Sequence, residues 1–427
     1  MTMQAKNDFT KFANSFQAVT VPGLERIGAL CRLLGDPQRG QKFIHIAGTN
    51  GKGSVSANLA CILEEAGFKV GKYISPNLLR VNERISVNGI DISDADLSEL
   101  LRRIEPLSAE VERELGLAPT QFEIWCAAAF LYFKEKGCDY VVLEVGLGGE
   151  LDATNIIEEN ELAIITRLGL DHTQYLGNTI EEIAAAKAGI IKAKCSTGTV
   201  ISANQTPSAL AVIREKTDRC GLRLTVPEYT AVGTEKTYEI FDCEGIRGIR
   251  CGISGFHQIE NASLAVAAAR ALGIDGRAIK KGVSRAKNPA RFELIRENPT
   301  VIYDGGHNEN GIEALTASLL RYFGNTEKTV IFACMADKDI EGSLRMLGEN
   351  THFAYTEVKD NPRAMKAERL AKRASELGYS GKSFGTVGEA YEWALSCGRL
   401  TVVCGSLYLY KDFKEYLTEK ENTNAVH

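Results

Sequence analysis

The chain has 427 residues, 44% hydrophobic and 25% charged, a composition typical of a globular protein too long for one ordinary core, so two or three domains are expected. A net charge of −5 without a Lys/Arg cluster argues against a nucleic-acid partner. Eleven scattered cysteines with no C-x-x-C pair indicate reduced thiols. The polar residues 1–10 lack a signal-peptide core, and no apolar run approaches membrane-spanning length. We therefore expect a cytoplasmic protein without a membrane partner.

The stretch 46–54 reads I-A-G-T-N-G-K-G-S, follows an apolar run at 43–47 and leads into a helical pattern. Strand, glycine loop, lysine and helix together surround a polyphosphate with backbone N–H groups and one point charge. The spacing departs from G-x-x-x-x-G-K-[ST], because Gly53 separates Lys52 from Ser54. A simple glycine-rich turn would explain the glycines but not the strand before them and Lys-Gly-Ser after them. The stretch predicts phosphate binding.

Strand and helix patterns alternate along the first half of the chain, which is typical of a doubly wound α/β domain. Apolar runs predict strands at 68–74, 140–145, 162–168 and 200–203. Capping patterns predict helices from Ser93, Thr120 and Thr179. Further predictions are helices over 8–35, 208–216 and 258–272, a loop with a short hairpin over 77–92, and peripheral β structure over 222–255.

A second alternating series begins after the pattern breaks at 288–292. It predicts strands at 300–304, 329–334, 352–356 and 400–404, and helices at 312–322, 363–377 and 387–396. Two further helices, whose ends the pattern does not define, are predicted after the second strand and after the last strand. This series indicates a smaller Rossmann-like domain. The predicted domains are 1–296 and 297–427, with the boundary near 294–299.

Polar residues follow several predicted strands at their carboxyl ends, where open α/β sheets bind ligands. Glu144 lies inside a buried strand, which is costly for a carboxylate unless it is paired or bound to a cation, so a metal ligand is favoured over a structural salt bridge. Ser75 alone is equally explained by a turn or cap, and His172 alone is ambiguous. Together one hydroxyl, one carboxylate and one imidazole suit Mg²⁺ shared with phosphate oxygens.

Other polar residues are weaker candidates when taken singly. Lys187, amid alanines, is most simply a solvated helix lysine, and Glu123 is a capping-box partner. Asn261 and Arg291 are unremarkable alone. The segment 304–308 (D-G-G-H-N) follows a strand and precedes a helix, which indicates a ligand-facing loop.

A series of short motifs runs through the chain in a fixed order. They are G-T-N-G-K-G-S (48–54), S-P (75–76), N-E-R-I (82–85), F-E (122–123), E-V-G-L-G-G (144–149), L-D-A-T-N (151–155), L-D-H-T (170–173), K-A-G (187–189), Asn261, R-F (291–292), D-x-x-H-N (304–308) and G-S-L-Y (405–408). Over about residues 20–410 the chain resembles the folylpolyglutamate synthase family of the Mur-ligase superfamily, which also includes bifunctional dihydrofolate synthases. The resemblance implies an N-terminal Mur-ligase-type P-loop ATPase domain with a parallel sheet, plus a smaller C-terminal Rossmann-like α/β domain.

The resemblance also implies an activity, that of an ATP-dependent amide ligase. ATP phosphorylates a substrate carboxylate, and the amine of L-glutamate displaces phosphate from the acyl phosphate. The implied small-molecule partners are folate or dihydropteroate, L-glutamate and ATP as co-substrate. Two Mg²⁺ ions and a monovalent cation are the implied cofactors, and a monomer is expected. Such a site needs charge neutralisation and positioning more than it needs a nucleophilic side chain.

The residues that the resemblance implies fall into four sets. The nucleotide contacts are Thr49, Asn50, Gly51, Lys52, Gly53, Ser54, Asn261, Arg291, Asp304 and His307, with ATP expected in an interdomain cleft. The folate or pteroate contacts are Val19, Thr20, Val21, Pro22, Thr120, Gln121, Phe122, Leu151, Asp152 and Ala153. The metal ligands are Ser75 and Glu144 for one Mg²⁺, and Glu144, His172 and carbamylated Lys187 for the second. The catalytic residues are Lys52, Lys187, His172 and Glu144.

Three positions depart from the family pattern. Asn77 stands where histidine is usual, Glu150 where a basic residue is usual, and Glu309 where proline is common. One alternative is a Mur-type ligase with another acceptor, and the second is a P-loop phosphotransferase or a nucleotide-dependent switch. The second is disfavoured by the lack of an Asn-Lys-x-Asp motif and by Gly53. A non-catalytic binding module is least favoured, since it gives no reason for the metal-ligand set beside a phosphate loop.

Overall fold

The computed structural model describes residues 21–425 and divides them into two units. The first unit contains 21–230, Phe241–Arg250 and Glu260–Ala286, and the second contains Ala231–Ile240, Cys251–Ile259 and the described residues from Lys287 onward. The predicted domains 1–296 and 297–427 stay a prediction. The predicted contacts Val19 and Thr20 lie outside the described residues.

The chain is a mixture of helices and strands throughout its described part. The strands are β1 (Phe43–Ala47), β2 (Val70–Tyr73), β3 (Ile85–Val87), β4 (Ile90–Asp91), β5 (Tyr140–Glu144), β6 (Leu162–Ile165), β7 (Thr199–Ser202), β8 (Arg223–Thr225), β9 (Tyr229–Glu235), β10 (Tyr238–Cys243), β11 (Ile246–Arg250), β12 (Glu293–Glu297), β13 (Thr300–Tyr303), β14 (Lys328–Phe332), β15 (Thr351–Tyr355), β16 (Gly381–Ser383) and β17 (Leu400–Cys404). The helices are α1 (Glu25–Leu33), α2 (Lys52–Glu65), α3 (Asp94–Leu115), α4 (Gln121–Lys136), α5 (Thr173–Leu176), α6 (Ile180–Ala188), α7 (Pro207–Arg219), α8 (Gln258–Ala271), α9 (Gly276–Arg285), α10 (Glu309–Phe323), α11 (Ile340–Leu347), α12 (Ala367–Glu376), α13 (Val387–Ser396) and α14 (Leu409–Ala425).

An eight-stranded sheet forms the centre of the first unit, in the order β4-β3-β2-β5-β1-β6-β7-β8. Strand β1 pairs in parallel with both β5 and β6, so the strand before the glycine loop lies centrally. All residues of β1 and of β6 are buried, because helices cover a parallel sheet on both faces. At the end of the strand order that begins with β4, strands β3 and β4 pair antiparallel, as the predicted hairpin requires. The carboxyl ends of β1, β2, β5 and β6 therefore lie along one edge, which agrees with the predicted position of the site.

The second unit has its own sheet of six strands, in the order β12-β13-β17-β14-β15-β16. Strand β12 pairs antiparallel with β13, and the other four neighbouring pairs of this sheet are parallel. Its core includes Phe292, Ile302, Val330 and Phe332, all at most 1% exposed. A separate three-stranded sheet, β11-β10-β9, corresponds to the β structure predicted for 222–255. The predicted fold class, two α/β sheets in succession, is confirmed.

The structure adds elements that the sequence did not predict. Strand β16 and helices α5 and α9 were missed, and helix 363–377 begins only at Ala367. All eleven cysteines are free, as expected for reduced thiols. Within residues 21–425 no helix has the length and apolar content needed to cross a bilayer.

Candidate active site

The glycine loop joins β1 to α2, as the sequence predicts, and two of its glycines adopt conformations that other residues rarely take. Gly48 has φ of 152° and Gly51, the residue before α2, has φ of 92°. A Cβ at residue 48 would lie 1.8 Å from Oγ1 of Thr166, and one at residue 51 would lie 2.2 Å from Oδ1 of Asn261. Both positions therefore require glycine for space as well as for φ.

The residues that follow β6 form hydrogen bonds with the glycine loop. The N–H groups of Thr49 and Asn50 both donate to the carbonyl of Arg167, at 3.0 and 3.1 Å. The Thr166 hydroxyl donates to the Asn50 carbonyl at 2.7 Å, and the Thr49 hydroxyl donates to the Gly169 carbonyl at 3.0 Å. The first N–H groups of α2 have no partner within their own helix and suit an anion.

Two lysines meet at one backbone carbonyl of the glycine loop. Lys52 Nζ and Lys187 Nζ each donate to the Gly48 carbonyl at 3.0 Å, although they are far apart in sequence. Lys52 also lies 3.4 Å from the Thr49 carbonyl. The contact brings the predicted catalytic lysine of α6 next to the predicted phosphate loop.

Lys187 is only 5% exposed, so the alternative of a solvated helix lysine is wrong. Burial, aided by the positive charge of Lys52, lowers its pKa from 10.5 to about 7, while Asp171 and Asp152 oppose the shift. A large fraction of the amine is therefore neutral near neutral pH. A neutral amine is the form that carbamylation requires.

Glu144 ends β5 beside the entry to the glycine loop. It is 4% exposed, and it is in register with Ile46 of β1, whose carbonyl accepts the N–H of Val145 at 2.9 Å. Ser75 follows β2, the neighbouring strand, and is half-buried. Strand ends thus bring these two predicted ligands to one edge of the sheet.

His172 precedes α5 with φ of 52° and is exposed, and its N–H donates to Asp171 Oδ1 at 2.9 Å. Within the described residues no group of three His, Cys, Asp or Glu side chains is close enough to hold a metal ion. The predicted ligand set contains only one carboxylate and one imidazole, and Ser75 and a modified Lys187 would supply the other oxygens. It therefore differs from a metal site built from three His, Cys, Asp or Glu side chains.

Predicted folate contacts lie on three segments that are linked to each other. Arg26 and Glu123 form a buried ion pair with two N···O distances of 3.0 Å, and Arg26 also donates to the Val21 carbonyl at 2.6 Å. Glu123 completes the predicted capping box by accepting the Thr120 N–H at 2.6 Å. The Leu151 carbonyl accepts the N–H of Gly23 at 3.3 Å.

The side chains of these segments differ in exposure. Val21 is 41% exposed and Leu151 is 53% exposed, as an apolar binding surface would require, and Pro22 is also exposed. Gln121 and Phe122 are partly buried, and the Phe122 ring packs near Gly146 and Tyr73. The buried members of the predicted set are Thr120, Asp152 and Ala153.

Asn261 lies on α8 and is 5% exposed. The preceding residue, Glu260, forms a bidentate ion pair with Arg167 at 3.1 and 2.7 Å. Arg167 is also the residue whose carbonyl accepts two N–H groups of the glycine loop. The predicted nucleotide contact Asn261 is therefore held beside Gly51 through its neighbour.

The remaining predicted nucleotide contacts belong to the second unit, where they lie near one another. Asp304 is 5% exposed and accepts the N–H groups of Phe292 and Gly306 at 2.8 and 2.7 Å. His307 donates from Nδ1 to the Gly305 carbonyl at 2.9 Å. The Arg291 guanidinium lies 3.5 Å from where a Cβ at residue 305 would be. The segment 304–308 and the turn at 288–292 thus form one connected structure.

The departures at Asn77 and Glu309 have local explanations, and nothing in the structure explains the acidic side chain of Glu150. Asn77 accepts a hydrogen bond from Arg84 Nε at 2.8 Å. Glu150 is exposed, and its N–H donates to the Ala186 carbonyl of α6 at 2.8 Å. Glu309 is the first residue of α10, where an acidic side chain interacts favourably with the helix dipole.

The chain matches two models of known families in succession, the Mur ligase middle domain over residues 46–269 and the Mur ligase glutamate ligase domain over residues 290–407. It is 38% identical to the dihydrofolate synthase/folylpolyglutamate synthase of Bacillus subtilis (strain 168) over 424 residues, covering 93% of this chain and 95% of that one. The chain belongs to this family of Mur ligases. The family predicted from the motif series is thereby confirmed.

Other Mur ligases of this family support the same assignment. The Escherichia coli (strain K12) dihydrofolate synthase/folylpolyglutamate synthase is 32% identical over 406 residues, covering 94% of this chain and 92% of that one. The crystal structure of Mycobacterium tuberculosis folylpolyglutamate synthase, described as complexed with ADP and AMPPCP, superposes with a TM-score of 0.89 at 30% identity, covering 97% of this chain and 98% of that one. The E. coli FolC complex with DHPP and ADP has a TM-score of 0.85 at 30% identity, with 98% of each chain covered.

Sequence reasoning missed several residues that shape this Mur ligase site. Thr166 and Arg167 hold the glycine loop, and Arg26 holds Glu123. His45, inside the apolar run of β1, is fully buried and bonded to Thr154. Their partners lie far away in sequence, so no local pattern identified them. The one available signal was a histidine inside an otherwise apolar strand.

Proposed function

We propose that this chain is an ATP-dependent ligase that adds L-glutamate to folates, and that dihydropteroate is a second acceptor. The observation that carries the proposal is the convergence of Lys52 and buried Lys187 on the Gly48 carbonyl of a phosphate loop. An ordinary P-loop phosphotransferase gives no reason for a second, neutralised lysine there. The names of the relatives, which include both synthase activities, support the choice of acceptors.

The proposed reaction has two steps. An oxygen of the acceptor carboxylate attacks the γ-phosphorus of ATP, which forms an acyl phosphate and releases ADP. The neutral amine of L-glutamate then attacks the carbonyl carbon, loses a proton, and displaces inorganic phosphate. Residues 49–54 bind and orient the triphosphate, with Lys52 opposing its negative charge. Asn261, Arg291, Asp304 and His307 are further proposed nucleotide contacts.

Magnesium fits the donor set at the edge of the sheet. Ser75 and Glu144 would hold one ion, and Glu144, His172 and Lys187 the other. A buried amine with a pKa near 7 suits carbamylation, in which Nζ adds to CO₂ and releases a proton, giving an anionic oxygen ligand. Bound Mg²⁺ supplies charge neutralisation at the phosphate oxygens. A monovalent cation is proposed only by family resemblance.

The acceptor is proposed to bind where the linked segments around Val21, Phe122 and Leu151 meet. Leu151 and Val21 offer exposed apolar surface. Arg26, which is paired with Glu123, donates to the Val21 carbonyl, and the Leu151 carbonyl accepts the Gly23 N–H. Val19 and Thr20 remain predicted contacts. A cytoplasmic location, which the free thiols support, and a monomeric state complete the proposal.

A second candidate keeps the chemistry but changes the acceptor. The observation that favours it is Glu150, an exposed acid next to Leu151 where the family usually has a basic residue. A carboxylate there would repel an acidic acceptor such as a polyglutamate tail. An acceptor with less negative charge would then be preferred.

An acceptor panel tests the proposed acceptors. Purified chain is given Mg²⁺, ATP and L-glutamate together with tetrahydrofolate, dihydropteroate, a UDP-sugar peptide or a poly-γ-glutamate primer, and ADP release is followed. We expect release with the first two only, and a product heavier by one glutamyl residue. Absence of ADP release with both pteridines would refute the proposed acceptors. Multiple-turnover ADP release with an acceptor but without any amino acid would favour a phosphotransferase, because the proposed ligase needs L-glutamate to complete each turnover.

A further inference from the structure

A buried chain of hydrogen bonds joins the strand before the glycine loop to the loop after β5. His45, in the middle of β1, is 0% exposed, and its Nε2 lies 2.9 Å from the hydroxyl of Thr154. That hydroxyl donates its only proton to Asp152 Oδ1 at 2.5 Å. Thr154 must therefore accept from His45, which carries its proton on Nε2. Burial, with a contribution from Lys192, lowers the pKa of His45 to about 3, so the ring stays neutral.

Asp152 closes the loop 146–154 on itself. Its Oδ2 accepts the N–H groups of Gly146 and Leu147 at 3.1 and 2.8 Å, and Oδ1 also accepts the Thr154 N–H at 3.0 Å. With the Thr154 hydroxyl, four donors satisfy one carboxylate. The Asp152 side chain thus fixes both ends of the loop, and His45 links Thr154, which donates to Asp152, to β1.

The loop 146–154 contacts two other parts of the site. The Glu150 N–H donates to the Ala186 carbonyl of α6, the helix that carries Lys187. The Leu151 carbonyl accepts the Gly23 N–H of the N-terminal segment. A shift of the loop would therefore change the surface offered to the acceptor and its placement relative to α6.

We propose that His45 is a positioning residue, which acts through Thr154 and Asp152 to fix the loop 146–154 relative to the strand that leads into the phosphate loop. It makes no contact with the nucleotide in this account. Its effect is on the acceptor, because Leu151 lies in the loop while the glycine loop is held separately by Thr166 and Arg167. The identity of the acceptor rests on the proposed function, but the placement of the loop does not.

The test compares Thr154→Val, which removes the hydroxyl with little change of volume, with Thr154→Ser, which keeps it. His45→Leu and His45→Gln form a second pair, since the glutamine amide can donate from a position close to that of Nε2. Thr217→Val is the matched control, because its buried hydroxyl donates within α7 to the Ile213 carbonyl at 2.7 Å. The measurements are KM for tetrahydrofolate, ADP affinity by calorimetry, and amide hydrogen exchange of peptides covering 146–154.

We expect Thr154→Val and His45→Leu to raise the acceptor KM about tenfold, as expected for loss of one buried hydrogen bond, with ADP affinity within about twofold. Their double variant should be no worse than either single variant. Thr154→Ser and Thr217→Val should keep the acceptor KM, and His45→Gln should recover part of it. Loop exchange should be faster in the two damaging variants only.

Three results would overturn the proposal: an unchanged acceptor KM and loop exchange in both damaging variants, an equal loss of ADP affinity, or multiplicative effects in the double variant. If the wild-type chain turns over no folate, the proposed function fails, and hydrogen exchange alone decides on His45. Faster loop exchange in Thr154→Val but not in Thr217→Val would then still support the positioning role, and equal exchange would refute it.

Discussion

The most informative perturbation of this site is to vary the state of the Lys187 amine. Its pKa of about 7 lies well below the ordinary 10.5 because the side chain is buried beside Lys52. At pH 8 roughly nine-tenths of such an amine is neutral, against about 0.3% of an ordinary lysine, so the form that reacts with CO₂ is about 300-fold more abundant. Carbamylation should therefore select this lysine over the exposed ones.

The assay is ¹³C NMR of the chain equilibrated with ¹³C-bicarbonate at pH 8, with and without Mg²⁺ and ADP. We expect one carbamate signal that is absent from Lys187→Met, and ligase activity that falls when dissolved CO₂ is removed and returns with bicarbonate. Lys187→Met should lose activity by about 100-fold, the upper range for losing a group that supports a metal site. Lys192→Met, at a half-buried lysine nearby, is the control and should keep the signal. No carbamate signal, together with activity independent of CO₂, would refute the reasoning.

Three further predictions concern stability and the glycine loop. Lys187→Met should raise the free energy of unfolding by about 3–5 kcal/mol at pH 6 and by little at pH 10, because only the unfolded wild-type amine stays protonated between pH 7 and 10.5. Urea unfolding at both pH values tests this prediction, and an equal gain in unfolding free energy at both would contradict it. Gly48→Ala should weaken ADP binding by about tenfold or more in calorimetry, since its Cβ would lie 1.8 Å from a threonine oxygen. Gly67→Ala is the control and should bind ADP normally, because residue 67 also has a positive φ of 90° but its Cβ would have no atom within 4 Å. Arg26→Met should destabilise the chain by about 3–5 kcal/mol, because it leaves Glu123 buried and unpaired. The double variant Arg26→Met with Glu123→Leu should lose less unfolding free energy in the same urea assay, and a double variant less stable than the single one would argue against the buried pair.

Much of the fold follows from local patterns in the sequence. The capping boxes at Thr120 and Thr179 begin helices because the third residue along is a glutamate that returns to the cap backbone. The mostly apolar runs became central parallel strands because helices cover both their faces. The glycine loop needs only a strand, a helix and glycines at the right φ, so its place between β1 and α2 was predictable.

Features that depend on contacts between distant residues were not predictable in the same way. Lys187 reads as a solvated lysine among alanines, and its burial follows from packing against Gly48 in the folded chain. His45 and Thr154 are 109 residues apart, so neither one predicts the other. Strand β16 was missed because it is short, exposed and polar, and it forms only by pairing with β15. Helix α9 was missed although Asp275 caps it.

The measurement that tests the central claim most directly follows the oxygen atoms of the acceptor. In the proposed reaction a carboxylate oxygen attacks ATP, remains in the acyl phosphate and leaves with the phosphate. Tetrahydrofolate labelled with ¹⁸O in its γ-carboxylate is incubated with the chain, Mg²⁺, ATP and L-glutamate, and the released phosphate is analysed by mass spectrometry. We expect one ¹⁸O atom in each phosphate formed from fully labelled acceptor. Unlabelled phosphate released along with the glutamylated product would contradict it.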